Sequence, residues 1–256
     1  MLYSYEMYNF IPEQIPQSVM KSLATFFLAF VFSLNIFADT VSDKEKDALI
    51  KLYHATNGSH WKIKWDLSLS VSTWYGVEIE NGKVVAINLD NNNLKGSLPN
   101  EINNLKELKV LDLSSNKIAG EMPSDIGKLN KLEILSLFNN EIHGQLPGSI
   151  YKITTLKVLL LNNNKLSGSL SKEIINFSAL QNLSLFDNNF EGEIPAEIGK
   201  LHTLTEINLS YNKFRGSVLK NLALLDPLNM TMFDENGNPF LLEINTEKET
   251  TIVTQN

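Results

Sequence analysis

Cysteine is missing from this chain altogether, and its four histidines, His54, His60, His143 and His202, fall at no metal-ligand spacing such as HExxH. The first absence excludes a disulfide framework, so the fold must hold by packing and hydrogen bonding. The second, together with the lack of a GxSxG, P-loop or dinucleotide fingerprint, leaves no catalytic residue, metal or cofactor to assign. Asp234-Glu235-Asn236-Gly237-Asn238 has the look of a calcium loop, but its glycine is misplaced and Asn245 stands where the bidentate Glu belongs. It reads as a turn. Positive charge is also scarce: 22 Lys+Arg against 29 Asp+Glu leave a net charge of −7. An acidic chain without a Lys/Arg cluster is a poor nucleic-acid partner.

What is present is a register. Asn92, Asn116, Asn140, Asn164, Asn188, Asn212 and Asn236 stand at a fixed stride of 24 with no insertion or deletion. A solenoid leaves such a mark, because every coil must put the same residue in the same turn. The leucines before each asparagine alternate with variable residues, as in LKVLDLSSN ending at Asn116, which is the period of a strand with one buried face. A buried asparagine has two donors and an acceptor for backbone groups of its own turn and the next, so the stack predicts a buried ladder. Gly96, Gly120, Gly144, Gly168, Gly192 and Gly216 follow at a fixed offset, predicting positive φ or close approach. Pro99, Pro123, Pro147 and Pro195 then mark the bend towards the outer side, where Ile126 with Leu129 and Ile198 with Leu201 are apolar anchors.

The unit LxxLxLxxNxLxGxLPxxIxxLxx resembles the leucine-rich repeat of the plant type. ALIKLYHATNGSHW and Trp74-Tyr75-Gly76-Val77 resemble the N-terminal cap of secreted bacterial and algal members, although plant relatives usually carry cysteines there. The resemblance implies an α/β fold: a curved, right-handed solenoid with a parallel β-sheet on its concave face, a 3₁₀ or irregular convex side and a helical cap. It divides the chain into a leader and signal peptide (1–38), an N-terminal cap (39–83), six to seven repeats (84–239) and a C-terminal cap (240–256). It also implies a role in recognition at the cell surface or outside the cell, by binding a protein or peptide.

The flanks carry their own signals. Met20-Lys21, the apolar run Leu23–Phe37 and the exit at Ala38-Asp39 have the form of a secretory signal peptide over about 20–38, too short for a comfortable membrane span. Translation is read as starting at Met20, or residues 1–19 as a long leader, with an uncleaved anchor as the alternative. Ser42 with Glu45 forms a capping-box signal, and Leu49, Leu52, Tyr53 and Thr56 share one face of the helix that follows. Val77–Glu80, Asn81-Gly82 and Lys83–Ile87 predict a hairpin feeding the first repeat. Trp61, Trp65 and Trp74 are expected to cover the open end of the first coil.

Outward residues of the strands form columns along the concave face. These hold Phe138, Leu160, Phe186 and Tyr211, several acids, and no Lys or Arg. Aromatics there have no duty in the repeat and are enriched in binding hot spots, although cross-strand packing would also explain them. The candidate partner site is therefore Phe138, Leu160, Phe186 and Tyr211 with an acidic surround of Asp112, Asp187 and Glu206. A protein or peptide ligand is the first reading. A glycan stacked on the rings is the second, and an enzyme is remote.

Overall fold

The capping box at Ser42 closes in both directions: its Oγ accepts from the Glu45 N–H at 3.4 Å and donates to Glu45 Oε2 at 2.6 Å. The computed structural model describes residues 41–219 and, beyond them, the backbone of Met232–Phe233, Pro239–Phe240 and Glu243–Asn245. The signal-peptide segment, Thr231, Asn236 and the Asp234–Asn238 turn lie outside the described residues. Helix α1 (Asp43–Ala55) buries Ala48, Leu49 and Leu52, and Asn57 at φ 59° ends it in the left-handed region. Glu45, only 4% exposed, also accepts from the Val84 N–H at 3.4 Å and pairs with Lys83 at 3.3 Å. The Ser42 hydroxyl thus caps the helix, and the Glu45 carboxylate that orients it ties the helix to the first repeat strand.

Three tryptophans fill the space between helix and repeats. Trp65 stacks on Trp74 with ring centroids 4.8 Å apart, and Trp61 meets Trp65 edge-on at 4.9 Å. Each indole N–H finds a backbone carbonyl: Trp61 on Thr56, Trp65 on Tyr75, Trp74 on Asp66. All three are buried, so they are core and no ligand platform.

Strands β1 (Val77–Glu80) and β2 (Lys83–Asn88) form the expected antiparallel hairpin. Its turn residues Asn81 and Gly82 sit at φ 51° and 70°, the pair of left-handed positions that a type I′ turn demands. From β2 onward the repeat strands pair in parallel: β4 (Val110–Asp112), β6 (Ile134–Ser136), β8 (Val158–Leu160), β10 (Asn182–Ser184) and β12 (Glu206–Asn208). With β1 at the edge they make one sheet of seven strands, roughly 29 Å across at ~4.8 Å spacing. A seventh repeat strand does not extend it among the described residues. Met232–Phe233 pairs antiparallel with Pro239–Phe240 instead, and Ser217–Leu219 pairs in parallel with Glu243–Asn245.

A second parallel sheet runs beside the first, in the stretch of each coil expected to be a 3₁₀ or irregular return. It is built from β3 (Lys95–Gly96), β5 (Lys117–Glu121), β7 (Glu141–Gln145), β9 (Lys165–Gly168), β11 (Asn189–Glu193) and β13 (Lys213–Arg215). His143 lies in β7. The recurrent glycines sit in or just after these strands at positive φ, and at Gly96 a Cβ would also come within 1.9 Å of the Ala55 carbonyl oxygen. Short 3₁₀ segments follow, such as Asn100–Asn104 behind Pro99 and Ala196–Lys200 behind Pro195, and they bury Ile102 and Ile198.

Between the sheets runs the asparagine ladder. In each interior coil the side-chain Nδ2 donates to the leucine carbonyl three residues back and to the matching carbonyl of the preceding coil, as Asn140 does to Leu137 and Leu113 at 3.0 Å each. Its Oδ1 accepts the N–H that opens the preceding coil's second strand, as from Ile118 at 2.9 Å. Asn116, Asn164, Asn188 and Asn212 repeat this geometry. Asn92 has no earlier coil and bonds the cap instead, accepting from the Ile63 N–H at 2.7 Å and donating to its carbonyl at 3.1 Å. Asn116 and Asn164 are half-buried rather than buried, but their amides are equally engaged.

Candidate binding face

The strand register sets which outward side chains stand together. Asn88, Asp112, Ser136, Leu160, Ser184 and Asn208 are aligned across six strands. One column earlier stand Ala86, Val110, Ile134, Val158, Asn182 and Glu206. Val110, Ile134 and Val158 are half-buried there, so the middle of the face is an apolar strip that merges with Leu160. Of this column the sequence singles out only the charged Glu206, because Val110, Ile134 and Val158 carry no polar or aromatic signal. The same stride read one column further would have found them.

Phe138, Leu160, Phe186 and Tyr211 are all half-buried on this face, but they do not form one cluster of rings. Phe186 meets Tyr211 edge-on, with centroids 5.0 Å apart and planes at 67°. Phe138 follows β6, and β8 lies between it and the strand preceding Phe186, so ~10 Å of sheet separates them. Leu160 occupies the strand between.

Tyr211 stands out for its backbone. The residue just before each ladder asparagine is left-handed in every described coil: Asn91 (47°), Ser115 (56°), Asn139 (53°), Asn163 (56°), Asp187 (52°) and Tyr211 (56°). Asn and Asp tolerate this region; a bulky side chain does not. Asp187 thus has a conformational reason for its place, whereas Tyr211 occupies a position that disfavours it.

The acids are also partly explained by local bonding. Asp112 accepts the Ser114 N–H at 3.0 Å, and Asn208 in the same column does so from Ser210 at 3.1 Å. Glu206 accepts from the Asn182 amide on the neighbouring strand. Beside them, at the edge of the sheet, Lys109 pairs with Glu80 at 2.6 Å and Lys157 with Glu133 at 2.7 Å. The Glu80 carboxylate raises the Lys109 pKa above its ordinary value. The surround of the apolar strip is therefore of mixed charge at that edge. Among the described residues no group of three or more His, Asp or Glu side chains is placed to hold a metal ion.

Residues 83–229, more than half of the chain, match the family profile of a leucine-rich repeat region. The chain belongs to the leucine-rich repeat family, and its repeats are of the plant type. Among solved structures it is similar to the PEPR1–AtPEP1 complex at 28% identity and a TM-score of 0.63, over 71% of this chain and 26% of that one. It is similar to the repeat ectodomain of the receptor kinase SOBIR1 from Arabidopsis thaliana at 28% identity and a TM-score of 0.59, over 68% and 97%. A third is the plant peptide hormone receptor RGFR1 in complex with RGF2, at 32% identity and a TM-score of 0.51, over 59% and 23%. The chain thus spans about a quarter of the first and third relatives and nearly all of the second. Among the described residues no helix is long and apolar enough to cross a membrane.

Proposed function

We propose that this protein is a non-catalytic recognition module, exported through the segment at 20–38, that binds a protein or peptide across the concave sheet. The observation that carries the reading is Tyr211, a bulky ring held at φ 56° in a column otherwise given to Asn, Asp and Ser. A conformation that costs about 1–3 kcal/mol persists where something else favours it, and strain of this kind gathers at binding sites. The contact with Phe186 and the apolar strip of Val110, Ile134, Val158 and Leu160 supply a surface that a ligand would cover. Asp112, Asp187 and Glu206 flank it and would favour a ligand with basic side chains. The similar receptors crystallised with AtPEP1 and RGF2 support the peptide class. Rings crossed at 67° make a poor flat platform for a sugar, which ranks the glycan reading below it.

The test is a pull-down of exported proteins of the source organism on the mature domain, run beside Phe138→Ala/Phe186→Ala. A partner retained by the wild type and lost from the double variant, with a folded far-UV spectrum in both, supports the reading. Undiminished capture by the double variant refutes the proposed patch.

A further inference from the structure

At the cap end of the face, just past the concave strands, Lys62, Asn91, Asn93, Ser115, Asn116 and Lys117 line an open cavity of about 210 Å³. The lining has two ammonium groups, three amides and a hydroxyl, and no carboxylate, in a chain whose net charge is −7. Both cations hang from pinned backbone. The Lys62 N–H donates to the Asn92 carbonyl at 3.1 Å, the adjoining Ile63 is bonded to the Asn92 amide, and the Lys117 N–H donates to the Leu94 carbonyl at 2.8 Å. The Lys62 ammonium is aimed by the side chain of Asn91, to which it donates at 2.6 Å, leaving two of its three protons for another acceptor.

Lys117 differs from Lys165 of the same column in its pairing. One coil further is Glu141, and Glu141 is held by Lys165 at 2.9 Å. Neither Lys62 nor Lys117 pairs with a carboxylate among the described residues. The Asn116 amide is spent in the ladder, but two ammonium groups, one of them aimed by Asn91, beside the Ser115 hydroxyl and the amides of Asn91 and Asn93 suit a small oxyanion that takes several hydrogen bonds at once.

We infer that this cavity is a binding site for a tetrahedral oxyanion, a phosphate or sulfate group, free or borne as an ester on a larger ligand. The site stands apart from the aromatic strip and does not depend on the concave-face reading.

Titrating the full chain with sodium sulfate or sodium phosphate, against sodium chloride at constant ionic strength, tests it by amide NMR. The Ser115, Asn116 and Lys117 signals should move along a saturable curve with either oxyanion and not with chloride. Lys62→Gln/Lys117→Gln should weaken the affinity at least tenfold while signals from the far repeats stay in place. Adding O-phosphoserine or glucosamine 6-sulfate identifies the source: a tenfold tighter ester marks an ester-borne group, and equal affinity marks the free ion. Shifts no different from those in chloride overturn the assignment, as does a folded double variant that titrates like the wild type. Should the double variant misfold, the wild-type titration decides alone.

Discussion

Two neighbouring columns of this solenoid are rich in asparagine for different reasons. The ladder column, Asn116 to Asn212, uses the amide: each side chain links carbonyls of two coils and an N–H that opens the second sheet. The column one residue earlier uses the backbone: Asn91, Asn139 and Asn163 are there because φ is near 50°. The first requirement is met by one residue type alone, and the column is invariant through the described coils. The second is a preference, and the column admits Ser115, Asp187 and Tyr211. Variation is therefore tolerated one position away from the least tolerant residue in the coil, and that is where a binding face can be built.

The sharpest way to break this contrast is to exchange the two residues of one coil. Asn140→Ala strips the Ile118 N–H of its acceptor and removes one of two donors from the Leu113 and Leu137 carbonyls, all in the interior between the sheets. One buried N–H left unpaired costs about 1–3 kcal/mol and the two thinned carbonyls add about 1 kcal/mol more, so the loss should be roughly 2–4 kcal/mol in a urea melt. Asn139→Ala next door should cost about 1 kcal/mol, and Asn139→Gly should cost nothing or stabilise. Equal losses at 139 and 140 would show that the columns are not distinct in kind.

The next two effects divide stability from binding. Phe186→Ala removes an edge-on ring contact with Tyr211, a pair whose geometry is worth about 0.5–1.5 kcal/mol beyond burial, whereas Phe138 has no ring partner among the described residues. Thermal melts should show Phe186→Ala lowered by several degrees more than Phe138→Ala. Tyr211→Asn trades that ring contact for relief of a left-handed backbone and should leave the urea midpoint within ~1 kcal/mol of wild type. Partner binding should nevertheless fall. Unchanged binding by Tyr211→Asn would return that residue to simple packing.

Why some of this was legible in sequence and some not follows from the same residues. The ladder, the hairpin turn at Asn81-Gly82 and the capping box at Ser42 depend on side-chain chemistry that few residues supply, so the letters give them away. The second sheet does not. Its strands bury one apolar residue, such as Ile118 or Leu166, beside a glycine, which is too short a run to show a period of two. Leu160 and the aromatics can be placed on the face by counting, but Asp187 reads as part of an acidic surround because φ is invisible in the letters. Lys109 and Lys157 fell outside the counted columns, so the surround looked more acidic than the edge pairs make it.

A third column, one residue past the ladder, completes the ranking with the smallest effect. Lys117, Glu141 and Lys165 stand there on the exposed face of the second sheet. Hydrogen bonding from Lys165 lowers the Glu141 pKa below its ordinary 4.5, with further help from the charges of Lys95 and Lys117. A carboxyl depressed in the folded state adds stability above its unfolded pKa, and that contribution is lost as pH falls through the lower, folded value. The window therefore lies below 4.5, and because the pair is exposed, water and salt screen most of it. Lys165→Met should bring the Glu141 carboxyl back up towards 4.5 in a side-chain NMR titration while the midpoint of unfolding at neutral pH hardly moves. A marked loss of stability at neutral pH would instead place this surface pair among the structural ties of the coil, beside the amide it follows.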